Sequence, residues 1–259
     1  MKRLAISVFG IAALATAYPT QAQEAPFFDQ VPAVIYETYS AVNNPAFDDY
    51  FSMLVDKYTA SGGTPWAIYR ENSAKAYRIT ILADGLDSFV PIQRARTASF
   101  QEFNDRQRES WMKGWGTRQV SIYNAAPAMS VVPQGFTVDD IRGLPYNRVS
   151  VYYLKWDQAP AFREALRRRS ELDRDANIQD FVLTAWNGGI GTQAQVVMVR
   201  VSAESRAADA GPNSEARRTA RQSYRAEWQE LSRAMGNAAW RIERHDQTRV
   251  DRLSYPSSN

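Results

Sequence analysis

The chain has no cysteine and one histidine among its 259 residues. It can therefore form no disulfide and carries no lipobox. Any metal site would rest on carboxylates and His245, and no EF-hand-like spacing of acids appears. A nucleophilic triad would have to use His245 as its base, and no Gly-x-Ser-x-Gly elbow occurs. Long apolar runs are scarce too. Beyond the first residues, nothing approaches the roughly 20 residues needed to cross a bilayer. Glycine is concentrated in GGIGTQ, Gly188 to Gln193. No Lys-Ser/Thr pair follows it, so it reads as a hairpin turn rather than a phosphate loop.

What is present starts with an export grammar. Lys2 and Arg3 give a positive start, Leu4 to Ala17 an apolar run, and Thr20-Gln21-Ala22 a small-x-small cleavage site. Residues 1–22 are expected to be removed, leaving a soluble protein, periplasmic or secreted, with no membrane span. Its core must then be an ordinary hydrophobic one, which about 237 residues can supply. Charge is nearly balanced, with 31 Lys+Arg against 28 Asp+Glu. It is unevenly placed, however. Residues 23–140 hold 10 basic and 14 acidic side chains, and residues 141–259 hold 19 and 14. The arginines of REALRRRSELDRD are interleaved with acids, the pattern of a solvated helix face. Together with export, this argues against nucleic acid as a partner.

The tripeptide Pro-Ala-Phe occurs twice, at Pro45 and Pro160. Behind the first, Phe47, Tyr50, Phe51, Leu54, Val55 and Tyr58 form one helical stripe. Asn44 is the expected cap, and SGG at Ser61 to Gly63 the expected stop. Behind the second, Phe162, Ala165, Leu166, Arg169 and Leu172 form a weaker stripe, with Asp157 as the expected cap. A β-branched and aromatic run precedes each helix: AVIYETYSAV and RVSVYYLKW. A hairpin follows each, then a further helix expected to end near glycine, Gly116 or Gly236, then a last strand, RQVSIYNA or AAWRIERHD. Each half thus reads strand–helix–strand–strand–helix–strand. The expected organisation is residues 32–124, a Pro- and Gly-bearing linker over 125–147, and residues 148–255.

A βαββαβ unit is the ferredoxin-like motif, with helices on one face of its sheet. The strands here are apolar on both faces: Val149, Val151 and Tyr153 alternate with Tyr152, Leu154 and Trp156. Two such sheets facing each other would cover what the helices do not. The expected fold is α+β, with tandem duplicated ferredoxin-like units forming an intramolecular α+β barrel. It resembles the dimeric α+β barrel superfamily, in the texture of its NIPSNAP-like and antibiotic-biosynthesis-monooxygenase-like groups. The resemblance implies a cavity between the sheets for a small hydrophobic ligand, a substrate or haem.

In the last strand, alternation puts Arg241, Glu243 and His245 on one face, expected to point between the sheets. Tyr153 and Lys155, on the first strand of the second half, are expected beside them. These five are the candidate ligand-binding residues, suited to a small apolar or amphipathic ligand with an acidic or phenolic group. Trp66, Trp186 and Trp240, all in strand-like runs, are either cavity lining or plain core. No catalytic residue, metal or cofactor is assigned. Three functions remain open: ligand binding without chemistry, a cofactor-free monooxygenase, and a haem-binding barrel.

Overall fold

The structure is a computed structural model. It describes residues 26–256 except 41, 73–74, 180, 194 and 211, with the backbone alone for 26, 86 and 212–214. The expected signal segment therefore lies outside the described residues. Among those described, no helix is long and apolar enough to cross a membrane.

The first half opens with α1 (Pro26–Gln30), β1 (Ala33–Ser40), α2 (Asn44–Ser61), β2 (Ala67–Glu71) and β3 (Ala76–Ala83). It closes with α3 (Phe89–Gln101), α4 (Asp105–Gly114) and β4 (Thr117–Ala125). The connection to the second half carries α5 (Val138–Gly143). The second half opens with β5 (Tyr146–Leu154), α6 (Ala159–Asp175), β6 (Val182–Gly188) and β7 (Val196–Ala203). It closes with α7 (Arg206–Ala210), α8 (Pro212–Ala220), α9 (Arg225–Ala238) and β8 (Ala239–Arg249).

Within each half the strands pair antiparallel, in the order β4-β1-β3-β2 and β8-β5-β7-β6, which is the ferredoxin-like arrangement. β2 then pairs with β8, and β4 with β6, closing a barrel of eight strands. The duplicated α+β barrel read from element order is the observed fold. The seams are short. Each joins three residue pairs, against eight in the β1–β3 and β5–β7 ladders. The β6–β7 turn lengthens one seam. Gly189 N donates to Ile122 O at 3.0 Å, and Ile122 N to Ile190 O at 2.8 Å. Gly191 has φ +75°, and a Cβ there would sit 2.2 Å from Val120 O. Both the backbone angle and the close approach require glycine.

Strand alternation sorts side chains into three cores. On β1, Ile35 and Tyr39 pack under α2, while Val34 and Tyr36 face the barrel. The helix side of the first half is aromatic, with Tyr39, Phe47, Tyr50, Phe51 and Tyr58 buried together. That of the second is leaner, built on Leu154, Phe162, Leu166, Val197 and Val199. Inside the barrel, Phe27 and Phe28 of α1 join Val34, Val149, Val151 and Trp186.

Helix ends differ from expectation. Asn43, not Asn44, caps α2, and the SGG stop holds, with Gly62 at φ 74°. Asp157 is not a cap: a 3-10 turn over Trp156–Gln158 leads into α6, and Gln158 takes that place. The helix expected before β4 is two helices. Asn104 breaks it with a capping box, its side chain accepting from Gln107 N and its own N–H donating to Gln107 Oε1. α4 ends at Gly114, before Gly116. α9 runs through Gly236 to Ala238, because the local backbone there stays helical.

Candidate functional site

Odd-numbered residues of β8 point into the barrel, as alternation requires. Tyr153 Oη donates to Glu243 Oε2 at 3.0 Å. The Arg241 guanidinium lies 3.7 Å from the Tyr153 ring centre, with Nε 3.4 Å from Glu243 Oε1. His245 Nδ1 is 2.8 Å from Glu71 Oε1, and its Nε2 is 3.7 Å from Glu243 Oε2. Glu71 also accepts from Arg78 Nη2 at 2.7 Å. Burial, then the hydrogen bond to Glu243, pushes the Tyr153 phenol up. Four of the five residues singled out from sequence thus meet at one end of the barrel. Lys155 does not join them. It follows the end of β5, is exposed, and gives its Nζ to Asn237 O at 2.9 Å.

Deeper in, side chains occupy the barrel. Arg200 donates to Asn147 Oδ1 and to Tyr69 Oη, each at 2.7 Å. Gln247 Nε2 donates to Tyr36 Oη at 2.7 Å. Of the three tryptophans, Trp186 lies in the barrel core, Trp66 in the helix-side core of the first half, and Trp240 is exposed. Among the described residues, no three His, Asp or Glu side chains are grouped to hold a metal ion.

Two clefts lie outside the barrel wall, one between each sheet and its helices. In the first half a cleft of about 180 Å³ is walled by Tyr39, Tyr50, Phe51, Phe100 and Trp111. Gln93, Arg96 and Arg118 form its polar end. Behind them Glu37, fully buried on β1, accepts from Arg96 Nη1, from Arg118 Nη2 at 3.0 Å and from Tyr39 Oη at 2.9 Å. Burial alone would raise the Glu37 carboxyl, but Arg96 and Arg118 outweigh it and hold the group below its ordinary value.

The second-half cleft has about 230 Å³. Tyr152, Leu166, Phe181, Val199, Trp228 and Met235 make its apolar walls, and Arg148, Arg169, Arg217, Arg218 and Arg221 ring it. Two of these share one carboxylate: Arg148 Nε reaches Asp209 Oδ2 at 2.7 Å, and Arg217 Nη2 reaches Asp209 Oδ1 at 3.2 Å. Arg221 Nε reaches Asp173 Oδ1 at 2.7 Å. Arg169 has no carboxylate within ion-pair distance among the described residues. Its Nη1 points at Met235 Sδ (3.2 Å), its guanidinium lies 4.0 Å from the Trp228 ring centre, and its sealed Nε has no acceptor. Burial pushes Arg169 down to about 10. A groove along α8 and α9, lined by Arg218, Arg221, Arg225 and Trp228, adjoins the cleft and shares three of those residues with it.

Sequence reading missed this cleft. It took REALRRRSELDRD as a solvated face. That holds for Arg167 and Arg168, which pair with Glu164, Glu171 and Glu227 near the surface. It fails for Arg169, and the signal was available: Arg169 occupies a position of the apolar stripe. Asp209 and Arg217 carried no comparable mark, because α7 and α8 reach the cleft only through the tertiary fold.

An eight-stranded barrel built from two ferredoxin-like units, with helices outside, has the dimeric α+β barrel fold, here within one chain. No family model matches the sequence, and no curated protein does. Solved structures do match. A monooxygenase candidate from Fusobacterium nucleatum superposes with TM-score 0.56 at 8% identity, over 85% of this chain and 92% of that one. An anthrone oxidase-like protein gives 0.54 at 10% identity, over 86% and 92%. A monooxygenase candidate from Lactobacillus acidophilus gives 0.52 at 11% identity, over 84% and 94%. At such identities the likeness is one of fold.

Proposed function

We propose that this protein is an exported binding protein for a small amphipathic acid, held in the second-half cleft. Arg169 carries the reading. A half-buried guanidinium with no carboxylate at ion-pair distance is unfavourable: desolvation lowers its pKa more than the nearby Asp173 raises it. An anionic headgroup would supply the missing charge. Arg148, Arg217 and Arg221 stand around the same space, and guanidinium groups bind carboxylate or phosphate oxygens in pairs. The apolar walls would take the body of the ligand, as binding pockets commonly do. The cationic groove beside it offers an approach along which an anion is steered.

Calorimetric titration with 2-naphthoate and decanoate tests the reading, with 2-naphthalenemethanol as the neutral control. The acids are expected to saturate one site. The alcohol, and the acids on Arg169→Met, should bind at least about tenfold more weakly, the usual order for losing a charged hydrogen-bond partner. Failure of both acids to saturate, or equal binding by Arg169→Met, rejects it. The export half of the proposal rests on the charged start, apolar run and Thr20-Gln21-Ala22. Recovery of the protein from its native compartment with Met1 intact would overturn it.

A second reading is a cofactor-free oxygenase acting on a phenolic substrate. One arrangement favours it: His245 stands between Glu71 and Glu243 at the barrel mouth, beside Tyr153, placed to take a proton. Oxygen uptake with anthrone, lost in His245→Ala, is its test. The haem reading asks for an axial ligand. His245 is the only histidine in the chain. Both its nitrogens face carboxylates inside the barrel, and it lines neither cleft. A histidine-ligated haem does not fit these residues. A Soret band in purified protein would overturn that statement.

A further inference from the structure

The first-half cleft has its own chemistry, independent of the reading above. Its polar end holds more donors than acceptors. Glu37 is already engaged three times: Oε1 takes Arg96 and Arg118, and Oε2 takes Tyr39. Gln93 Oε1 accepts from Arg118 Nη2 at 3.1 Å. That leaves Gln93 Nε2, Arg96 Nη2 and Arg118 Nε, all sealed from solvent, without an acceptor. Buried donors are nearly always paired, and three orphans around one space are a marked departure. Two arginines against one glutamate also leave one positive charge uncompensated.

The space itself limits what could supply the acceptors. Its walls are rings: Tyr50 and Trp111 lie 3.9 Å apart between centres, and Tyr39 and Trp111 6.2 Å. Its volume, about 180 Å³, is only slightly more than the roughly 150 Å³ of an apolar cavity that accepts benzene. That volume matches one planar ring. An aromatic wall favours an aromatic occupant through edge and offset contacts. We infer that this cleft is a second binding site, for a single-ring aromatic carboxylate. The ring lies beside Tyr50, Phe100 and Trp111, and the carboxylate lies at the end formed by Gln93, Arg96 and Arg118.

Benzoate is the probe, followed by calorimetry and by indole fluorescence. Three variants separate the outcomes. Gln93→Leu removes one orphan donor and the acceptor of one Arg118 bond, and leaves both arginines with Glu37 as partner. Thr97→Phe, at an exposed position on the rim of α3, fills the cleft without touching its polar end. Arg169→Met disables the other cleft. The expected result is saturable benzoate binding that weakens on the order of tenfold in Gln93→Leu and disappears in Thr97→Phe. It should persist in Arg169→Met, and benzyl alcohol should bind far more weakly than benzoate. Absence of saturable binding overturns the inference. So does binding unchanged by Thr97→Phe, binding lost in Arg169→Met, or a crystal structure grown with benzoate that shows only water in the cleft.

Discussion

The two halves share one order of elements and treat buried arginine in opposite ways. In the first, Glu37 gathers both Arg96 and Arg118 onto one carboxylate beneath a wall of rings. In the second, Asp209 and Asp173 serve three of five arginines, and Arg169 is left against Trp228 and Met235. The first arrangement is mainly an investment in stability, because a buried carboxylate satisfied three times over holds strand, helix and neighbouring strand together. The second sacrifices stability for a site that lacks an anion. The general lesson is that equivalent places in a repeated fold can be told apart by how fully carboxylates answer their arginines.

That contrast can be broken by substitution. The largest effect is expected at Glu37. Glu37→Gln leaves two arginines facing a neutral group and should cost about 3 kcal/mol, measured by denaturant unfolding. A cost below about 1 kcal/mol would mean the cluster is not holding the first half together. The same residue sets an acid dependence. Its folded pKa lies below the ordinary value of 4.5, so its stabilisation is complete above about that pH and is lost as pH falls through the folded value. Thermal melts of the wild type should therefore drop below about pH 4.5 more steeply than those of Glu37→Gln.

Arg169→Met should act the other way. Exchanging a half-buried cation that has no carboxylate at ion-pair distance for an apolar chain of similar length is expected to stabilise the ligand-free protein by about 1 kcal/mol. The melting temperature would rise while affinity for the amphipathic acid falls. A variant that loses both would place Arg169 in the first half's category of structural arginines. A further step down in size is His245→Ala. Glu71 keeps Arg78, so the loss should be about 1 kcal/mol of stability, one hydrogen bond's worth. Lys155→Ala is expected to change neither stability, within about 0.5 kcal/mol, nor binding. Among the described residues, the exposed bond to Asn237 O is the only polar contact its side chain makes.

The fold was readable because its signals are local. Two-faced apolar strands, helical stripes after each Pro-Ala-Phe and a glycine-rich turn each arise from a few neighbouring residues, and their repetition gave the duplication. The inward face of β8 followed from alternation alone. Helix ends were less readable, since Asn104 breaks a continuous pattern and Gly236 fails to. Lys155 was misplaced because β5 stops at Leu154 and its alternation stops with it. The clefts were hardest. Glu37 inside an apolar strand and Arg169 on an apolar stripe were visible irregularities. Their partners, Arg96, Arg118, Trp228 and Met235, come from elements tens of residues away, and no periodicity records that meeting.

The connection between β4 and β5 puts both units in one polypeptide, and this has a consequence for symmetry. When such a barrel forms from two identical chains, a two-fold axis makes every change at one site appear at the other. A residue that improves one cleft and spoils its twin would then be both gain and loss in a single molecule. With the axis only approximate, each cleft can drift alone. One can gather its arginines on a single glutamate while the other leaves an arginine with no carboxylate at ion-pair distance. Joining the units end to end thus doubled the number of distinguishable surfaces without enlarging the barrel.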